Sequence, residues 1–458
     1  MERWSAELNL FSEVIPRPLF SRFSSPPPVL PVDLPLIRSY PFKMKIACKA
    51  FILSLLSSCL SIPAFGKGIE DFCEGLEDFG RFYERPESGV LQSAKLFLSY
   101  QHQLGHIDGE DQIGQSFDDD FEEFRRFWMG FSGQFASHWK FKVVSQLSND
   151  RNAYPGDYRQ WGHETFRAAN LTYDAGKAFD MKNIDSLELG YGRRTGRMAD
   201  EWQRSSTVIN CLERSSFANK LWLYDKEKGN PLATWAKWSA GNHTFDAAVF
   251  SGTYDDYLGG WKDSKVFYLS WLGDYSEKSS YDLLEYWISY YKQQGDTGED
   301  HLAGGMDWSL ALVNRFGQGK WSMHSTLAFG QNGSFDQNGA AQNALRQGEF
   351  RGAVLMPMYW LKKDRLKLVG RFLYQESDQA QGLKLNSRYV SLAQARDSSL
   401  QLNGGRGDQH HAFYLGLNYY LCGERMKVIS GIQYDDLQSE GSTQYEGVTL
   451  GTSFRIWF

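Results

Sequence analysis

Apolar and polar residues alternate along much of the chain, and the last twelve residues, GVTLGTSFRIWF, show the pattern most clearly. Successive side chains of a strand point to opposite faces, so Val448, Leu450 and Phe454 share one face, which Ile456 and Phe458 continue. A soluble sheet would pack this face inward, whereas a membrane barrel would turn it towards lipid. The final run by itself is compatible with both.

Alternating runs of this kind follow one another from residue 121 to the C-terminus. The predicted tight turns lie at residues 136–137, 241–242, 317–319, 362–364 and 423–424. Longer polar segments lie between the hairpins, at residues 295–305, 331–347 and 376–408. Tilted strands of about ten residues cross a bilayer, and short turns at one end with long loops at the other are typical of outer-membrane barrels. We therefore predict an all-β fold, a transmembrane antiparallel β-barrel of about 16 strands, within a range of roughly 14 to 18.

Composition agrees with a β-protein rich in hairpins, because aromatic residues make up 15% of the chain and glycines (44) far outnumber prolines (13). A large soluble β-protein is the alternative that composition leaves open. The net charge of -6 argues against nucleic acid as a partner. The five cysteines show no metal-ligand spacing, and we expect a fold that does not depend on disulfides.

The N-terminal part of the chain contains a segment with the features of a signal peptide. Residues 44–66 combine Lys45 and Lys49 with a short apolar run and a small-x-small cleavage pattern. Residues 1–43 precede it, and we interpret them as a mis-annotated start, with a disordered arm as the alternative. Residues 67–120 form an acidic segment with a possible first strand and a charged connector, and residues 121–458 form the predicted barrel.

If every apolar face is turned towards lipid, the opposite face carries more basic than acidic residues. The candidate pore-lining residues on that face are Arg126, Lys140, Lys142, Arg194, Arg315, Arg351, Lys367, Arg371, Lys427 and Arg455. A basic lumen favours anions. The alternative is that these side chains point inward only because lipid excludes them.

No pattern of catalytic or cofactor-binding residues emerges from the sequence. There is no phosphate-binding loop, no GxSxG elbow and no metal-ligand cluster, and we predict no catalytic residues, no metal and no cofactor. His324 and Ser325 are adjacent, and neighbours on a strand face opposite sides. An enzyme would need a Ser–His pair two residues apart or on neighbouring strands.

Several segments resemble the phosphate-selective porin family of the porin O and P type. They are FRRFWMGFSGQF, LELGYGRRTGR followed by INCLERSSF, and FYLGLNYYL followed by the final strand, in the same order between residues 95 and 458. The resemblance implies a 16-stranded outer-membrane barrel, usually a trimer, that conducts anions. It also implies basic functional residues at Arg126, Arg194 and Arg214, and an assembly signal that ends at Phe458.

From these observations we expect an outer-membrane porin, a passive channel for small anions such as phosphate, with a lumen narrowed by an infolded loop. The expected partners are outer-membrane lipid, the assembly machinery, small anionic solutes and two further copies in a homotrimer. The alternatives are an exporter barrel for acidic polysaccharides, a barrel enzyme and a surface-binding protein. The expected location is the outer membrane of a Gram-negative type bacterium, reached through the signal peptide.

Overall fold

The computed structural model describes residues 67–87, 89–148, 161–223, 230–251, 265–294, 305–333 and 344–458. The predicted signal peptide and the extension before it lie outside these described residues. Most of the described chain is β-strand.

Most elements of the described chain are strands, and helices lie between only some of them. The chain begins with α1 (Lys67–Asp78), β1 (Arg81–Glu84), β2 (Leu91–Asp111), β3 (Ser116–Phe135), β4 (Trp139–Ser148), β5 (Trp161–Asp174), α2 (Ala175–Ala178) and β6 (Ser186–Arg193). It continues with α3 (Asp200–Gln203), α4 (Ser216–Lys220), β7 (Leu232–Ala240), β8 (His243–Ser251), β9 (Lys265–Asp274), β10 (Leu283–Gln294), β11 (Met306–Gln318) and β12 (Trp321–Asn332). It ends with β13 (Glu349–Lys362), β14 (Leu366–Ser377), β15 (Leu383–Lys384), α5 (Arg388–Arg396), β16 (Arg406–Gly407), β17 (Gln409–Tyr420), β18 (Met426–Ser439) and β19 (Ser442–Trp457). Short 3₁₀ helices lie at Ser276–Lys278, Ala344–Arg346 and Asn403–Gly405.

Sixteen strands form a closed antiparallel barrel, which confirms the predicted fold class. Strands β2 to β14 pair in sequence order and continue through β17, β18 and β19. The last strand returns to the first, since β19 pairs with β2 from Tyr445 opposite Asp111 to Trp457 opposite Ser99. Strand β1 joins the same edge of β2 beyond the end of β19, and β15 with β16 forms a small separate ribbon.

Connection length differs between the two ends of the barrel, as the sequence pattern predicted. One end has tight turns at residues 136–138, 241–242, 319–320 and 363–365, and we call it the short-turn end. The long-loop end carries the connections 194–231, 333–348 and 378–408. Ala136 (φ 45°) and Ser137 (φ 64°) both adopt left-handed backbone, the conformation that a tight hairpin turn requires.

Part of the segment predicted as an acidic N-terminal region and charged connector belongs to the barrel. The barrel begins at Leu91, and β2 and β3 run through the charged stretch to a short turn at residues 112–115. Ile107 and Phe121 are buried on the inner face, while Asp108 and Asp118 are paired across the two strands on the outer face. The acidic run looked like a connector because, at the long-loop end, the outer face of these strands is polar instead of apolar.

The outer face of the barrel carries a belt of exposed apolar side chains. Leu269 (54% exposed), Phe372 (50%), Leu327 (50%) and Phe131 (48%) all point away from the interior. Large exposed apolar surfaces need an apolar environment, and an outward apolar band is what a membrane barrel presents to lipid. Among the described residues, no helix is long and apolar enough to cross a membrane.

A disulfide joins Cys73 of α1 to Cys422 in the turn between β17 and β18. The sequence did not indicate this bond, because residues 349 positions apart meet where the N-terminal segment runs along the short-turn end, and the expectation that the fold does not depend on disulfides stays a prediction. The ring of Phe79, just after α1, packs edge-on against Phe458, with 4.8 Å between the ring centroids. The two ends of the described chain are thus fastened together beside the seam of the barrel.

Candidate functional site in the barrel interior

The connection between β6 and β7 folds into the barrel, and its residues 194–223 are called the inserted segment. Met198, Phe217, Leu221 and Leu223 of this segment have no exposed surface. They pack into one apolar cluster with inward-facing strand residues such as Ala311. The predicted infolded loop therefore exists, but it builds an apolar core inside the barrel, which the sequence analysis did not anticipate.

Three carboxylates of the inserted segment each bind an arginine of the wall. The pairs are Asp200 Oδ1–Arg315 Nε (2.5 Å), Glu201 Oε1–Arg371 Nη1 (2.6 Å) and Glu213 Oε1–Arg125 Nε (2.6 Å). Burial by itself would raise the pKa of the Asp200 carboxyl, but His324 and Arg315 hold it well below its usual range. Arg125 and Arg126 act in the same way on the pKa of Glu213, against the effect of burial. The Asp200 and Glu213 carboxylates are therefore held ionised, and their charges compensate those of the wall arginines.

Other basic side chains of the wall bind backbone carbonyls of the inserted segment. Arg455 donates to the carbonyl oxygens of Ser206 (3.0 Å) and Leu212 (2.5 Å). Lys427 Nζ donates to the carbonyl of Ile209 (3.0 Å). A buried carbonyl group without a hydrogen-bond partner destabilises the fold. Arg455 and Lys427 therefore provide hydrogen bonds to a stretch of chain that has no regular secondary structure.

The structure places most of the predicted pore-lining residues towards the interior. From the strands these are Arg126, Lys140, Lys142, Arg315, Lys367, Arg371, Lys427 and Arg455, while Arg194 and Arg214 belong to the inserted segment. Arg214 donates to the carbonyls of Glu201 (2.8 Å) and Arg204 (3.1 Å) and lies 3.7 Å above the ring of Trp202. Several of the predicted cations therefore fix the inserted segment.

Arg351 lies on the outer face, and its predicted inward position was wrong. Its side chain is exposed and pairs with Glu376 of β14. The neighbouring Phe350 is only 2% exposed and faces the interior, where Lys220 Nζ lies 4.3 Å from the centre of its ring. The sequence rule assigned apolar residues to lipid, and it failed here because the inserted segment provides a second apolar environment inside the barrel.

The interior also holds buried acidic residues that the alternation of the strands did not indicate. Besides the three carboxylates of the inserted segment, Glu123 and Asp435 are buried on inward-facing positions of β3 and β18. Glu123 binds Arg388 of α5 at 2.6 Å. Many charged side chains of the interior are therefore ion-paired. Any excess of positive charge has to come from cations that lack such a carboxylate partner.

Two cations on one side of the interior, Arg197 and Lys142, form no ion pair with a described residue. The backbone carbonyl of Arg197 accepts hydrogen bonds from Tyr268 (3.0 Å) and Ser289 (3.1 Å), while its side chain remains exposed to water. Surrounding protein nevertheless lowers the pKa of Arg197, and the charge of Arg194 lowers it further. Lys142 of β4 is exposed, lies on the inner face and is within electrostatic range of Arg197. In the described part of the chain, neither side chain forms an ion pair.

Partly compensated cations continue this side of the lumen. Arg194 binds both carboxylate oxygens of Asp246, at 3.1 and 2.5 Å. Lys140 pairs with Glu188 at 2.6 Å. The side of the interior beside β4 therefore carries several basic side chains, while inward residues of β7 and β8 such as Ala233 and Phe250 pack into the apolar cluster with the inserted segment.

Sequence reasoning missed Arg197 and the three carboxylates of the inserted segment. The available signal was the interval between residues 194 and 231, which is too long for a turn and lacks the alternation of a strand. It could have indicated an inserted segment, but which of its residues meet the wall depends on the path of the chain through the barrel.

Phe458 lies at the seam and exchanges two backbone hydrogen bonds with Leu98, at 3.2 and 3.0 Å. Its carbonyl accepts from Leu98 and its amide donates to the Leu98 carbonyl. The terminal residue therefore completes the ladder between the last strand and β2, and its role as an assembly signal stays a prediction.

No model of a known protein family matches the chain, and no curated protein sequence matches it. Solved structures with a similar fold include the outer membrane channel DcaP of Acinetobacter baumannii, at 13% identity and a TM-score of 0.47, covering 80% of this chain and 97% of that one. OprB of Pseudomonas putida aligns at 12% identity and a TM-score of 0.49, covering 80% and 94%. OmpT of Vibrio cholerae, an outer membrane protein, aligns at 9% identity and a TM-score of 0.46, covering 80% and 100%.

Proposed function

We propose that the protein is an outer-membrane channel through which small anions diffuse passively. The apolar belt around a closed sixteen-stranded barrel supports a place in the membrane. The observation that carries the channel function is the pair Lys142 and Arg197, whose exposed side chains form no ion pair with a described residue.

The anion preference follows from the position of these two charges. In a narrow passage with low-dielectric walls, uncompensated cations raise the local concentration of anions and oppose cations. The other inner cations contribute less, because carboxylates or carbonyl groups at short distance already compensate them. We propose phosphate and anions of similar size as solutes.

The experiment is a reversal-potential measurement on folded protein in planar bilayers across a salt gradient. We expect anion selectivity, with a clear shift towards cations in Lys142→Glu and Arg197→Glu. The matched control is Lys363→Glu, which makes the same charge change in an exposed turn at the short-turn end. Cation selectivity of the native protein, or equal shifts in all three variants, would contradict the assignment of the passage to Lys142 and Arg197.

The alternative of a polysaccharide exporter fits the interior less well. An exporter for a bulky polymer needs a wide lumen, whereas ion pairs and hydrogen bonds fasten the inserted segment to β3, β11, β14 and β19. We therefore place the passage beside Lys142 of β4, away from these anchors. We favour small solutes for this reason.

The remaining expectations from the sequence complete the proposal. We propose export by the signal peptide at residues 44–66, recognition of the strand ending at Phe458 by the assembly machinery, and a homotrimer in the outer membrane. The mass of the complex in mild detergent tests the trimer, because a monomer would have one third of the expected protein mass.

A further inference from the structure

Ser216 of α4, His410 of β17 and Asp435 of β18 form a buried chain of hydrogen bonds. Ser216 Oγ lies 2.9 Å from His410 Nδ1, and His410 Nε2 lies 3.0 Å from Asp435 Oδ1. The three residues are 6%, 1% and 2% exposed, respectively. They are 25 or more residues apart in sequence, which is why no local motif indicated them.

The hydrogen-bond pattern orients the serine for deprotonation. A proton on His410 Nε2 is donated to the Asp435 carboxylate, so that Nδ1 keeps its lone pair and can accept the Ser216 hydroxyl proton. This is the order nucleophile, base and orienting carboxylate that serine hydrolases of unrelated folds share.

Two glutamines hold this chain in place. Gln433 Nε2 donates to both carboxylate oxygens of Asp435, at 3.1 and 2.8 Å. Gln375 Nε2 lies 2.7 Å from Ser216 Oγ, to which it donates, and 2.9 Å from His410 Nδ1. With Gln375 as its donor, the Ser216 hydroxyl is left to donate its own proton to the imidazole.

Ser216 and Asp435 line a cavity of about 70 Å³ between the inserted segment and the connection that contains α5. This volume has room for about five water molecules, or for a two- to three-carbon acyl group. The exposed Asn386 lines the same cavity, which therefore reaches water.

The cavity holds a hydrogen-bond donor that has no partner among the described residues. The hydroxyl of Tyr389 is buried and makes no hydrogen bond there, and such a group is costly unless a ligand or water engages it. Arg214 also lines the cavity. A phenol and a guanidinium are suited to stabilise an oxygen on which negative charge develops.

We propose that Ser216, His410 and Asp435 form a hydrolytic site for esters with short acyl groups. Ser216 Oγ forms a bond to the ester carbonyl carbon while His410 Nδ1 takes its proton. The bond to the leaving alcohol breaks and the alcohol takes the proton from His410, leaving an acyl group on Ser216. A water molecule, deprotonated by His410, then releases the carboxylic acid and regenerates the serine hydroxyl. The electron pair of each broken bond stays on the departing oxygen, so no oxidant or cofactor is needed.

The test uses the full-length protein folded in detergent micelles and the ester p-nitrophenyl acetate. We expect hydrolysis above the spontaneous rate, a loss of at least about a hundredfold in Ser216→Ala, and no change in Ser325→Ala, a control on the outward-facing side of β12. Equal rates in the native protein and Ser216→Ala would overturn the proposal and leave the triad as a structural link of the inserted segment.

A second measurement does not depend on the folding of a variant. Phenylmethylsulfonyl fluoride applied to the native protein should modify Ser216, as located by mass spectrometry of its peptides. Modification elsewhere or none at all would overturn the proposal.

The length of the acyl group is tested by comparing two esters. Faster hydrolysis of p-nitrophenyl octanoate than of the acetate would contradict the short-acyl assignment. In Tyr389→Phe we expect a lower kcat with an unchanged KM, because the hydroxyl would act only on the developing charge. Hydrolysis in micelles does not require conduction, so this result and that of the bilayer experiment are independent.

Discussion

At the scale of single residues, the inner-face arginines serve mainly to hold the inserted segment. Arg371 shows this best, because it is 2% exposed and binds the Glu201 carboxylate, the carbonyl of Glu213 and the side chain of Gln433. Removing a charge from water is expensive, and a buried arginine persists only where such partners replace its hydration. An inward-facing cation is therefore not by itself evidence of a selectivity filter.

The Arg371–Glu201 pair gives a stability prediction. Arg371→Met leaves the Glu201 carboxylate buried without its main counter-charge, and we expect the free energy of unfolding to fall by about 3 kcal/mol. The double variant with Glu201→Met removes both charges and should recover a large part of this loss. Urea unfolding followed by tryptophan fluorescence measures both. A double variant that is less stable than the single one would show that the pair is not the cause.

The pH dependence of stability follows from Asp200. Its folded-state pKa lies below the ordinary value of 3.8, because His324 and Arg315 outweigh the effect of burial. Its contribution is therefore fully present above pH 3.8 and is lost as the pH falls through the lower folded-state value. Asp200→Asn should be less stable than the native protein at pH 7 and should lose less stability on acidification. A parallel decline of both proteins in acid unfolding would contradict this.

At the scale of elements, the seam between β2 and β19 receives unusual reinforcement. Strand β1 extends the edge beside β19, Phe79 packs on Phe458, and the disulfide from α1 reaches past the seam to the β17–β18 turn. The seam joins the two ends of the chain, and its closure completes the barrel. The N-terminal segment therefore holds the last strands in place at the seam.

The disulfide gives a prediction at this scale. Closing a loop across 349 positions restricts the unfolded chain, and the chain-entropy estimate for its stabilisation is about 6 kcal/mol as an upper value. The variant Cys73→Ser/Cys422→Ser should unfold at a lower temperature, as seen by the heat-dependent shift of the barrel in gel electrophoresis. Reductant should lower the transition of the native protein to that of the variant and leave the variant unchanged. A native protein insensitive to reductant would speak against a contribution from this bond.

At the scale of the whole molecule, the inserted segment fills part of the barrel interior, and the proposed passage lies in the remaining part. Ion pairs and hydrogen bonds anchor the inserted segment on β3, β11, β14 and β19, and further contacts join it to β8, β9 and β10. The exposed Lys142 and Arg197 lie towards β4. The same segment thus fills part of the barrel and supplies Arg197, which forms no ion pair with a described residue.

The size of the passage can be tested by removing most of this segment. Replacement of residues 198–223 by a short glycine–serine linker should raise the single-channel conductance severalfold, because the apolar core inside the barrel is lost. The anion selectivity should fall even though Lys142 and Arg197 remain, since a wider aqueous lumen screens their charges. An unchanged conductance in a barrel that still folds would show that the segment does not limit the passage.

The sequence predicted strands and turns well where lipid faces one side of the sheet. In the final strand, Val448, Leu450 and Phe454 lie on the outer face and Arg455 on the inner face, as the alternation indicated. The prediction failed at Arg351 because Phe350 faces an apolar interior. Periodicity reveals that two faces differ, but it does not tell which apolar environment a face meets.

The sequence by itself determined the closed barrel, its approximate strand number and the different lengths of its connections. These features depend on local alternation and turn residues, which the bilayer imposes on every strand. Only the tertiary structure decided the course of the inserted segment, the pairing of Cys73 with Cys422, the outer position of Arg351 and the meeting of Ser216, His410 and Asp435. The physical reason is that these contacts join residues far apart in sequence, whose proximity follows from barrel closure and from the packing of the interior, and not from any local pattern.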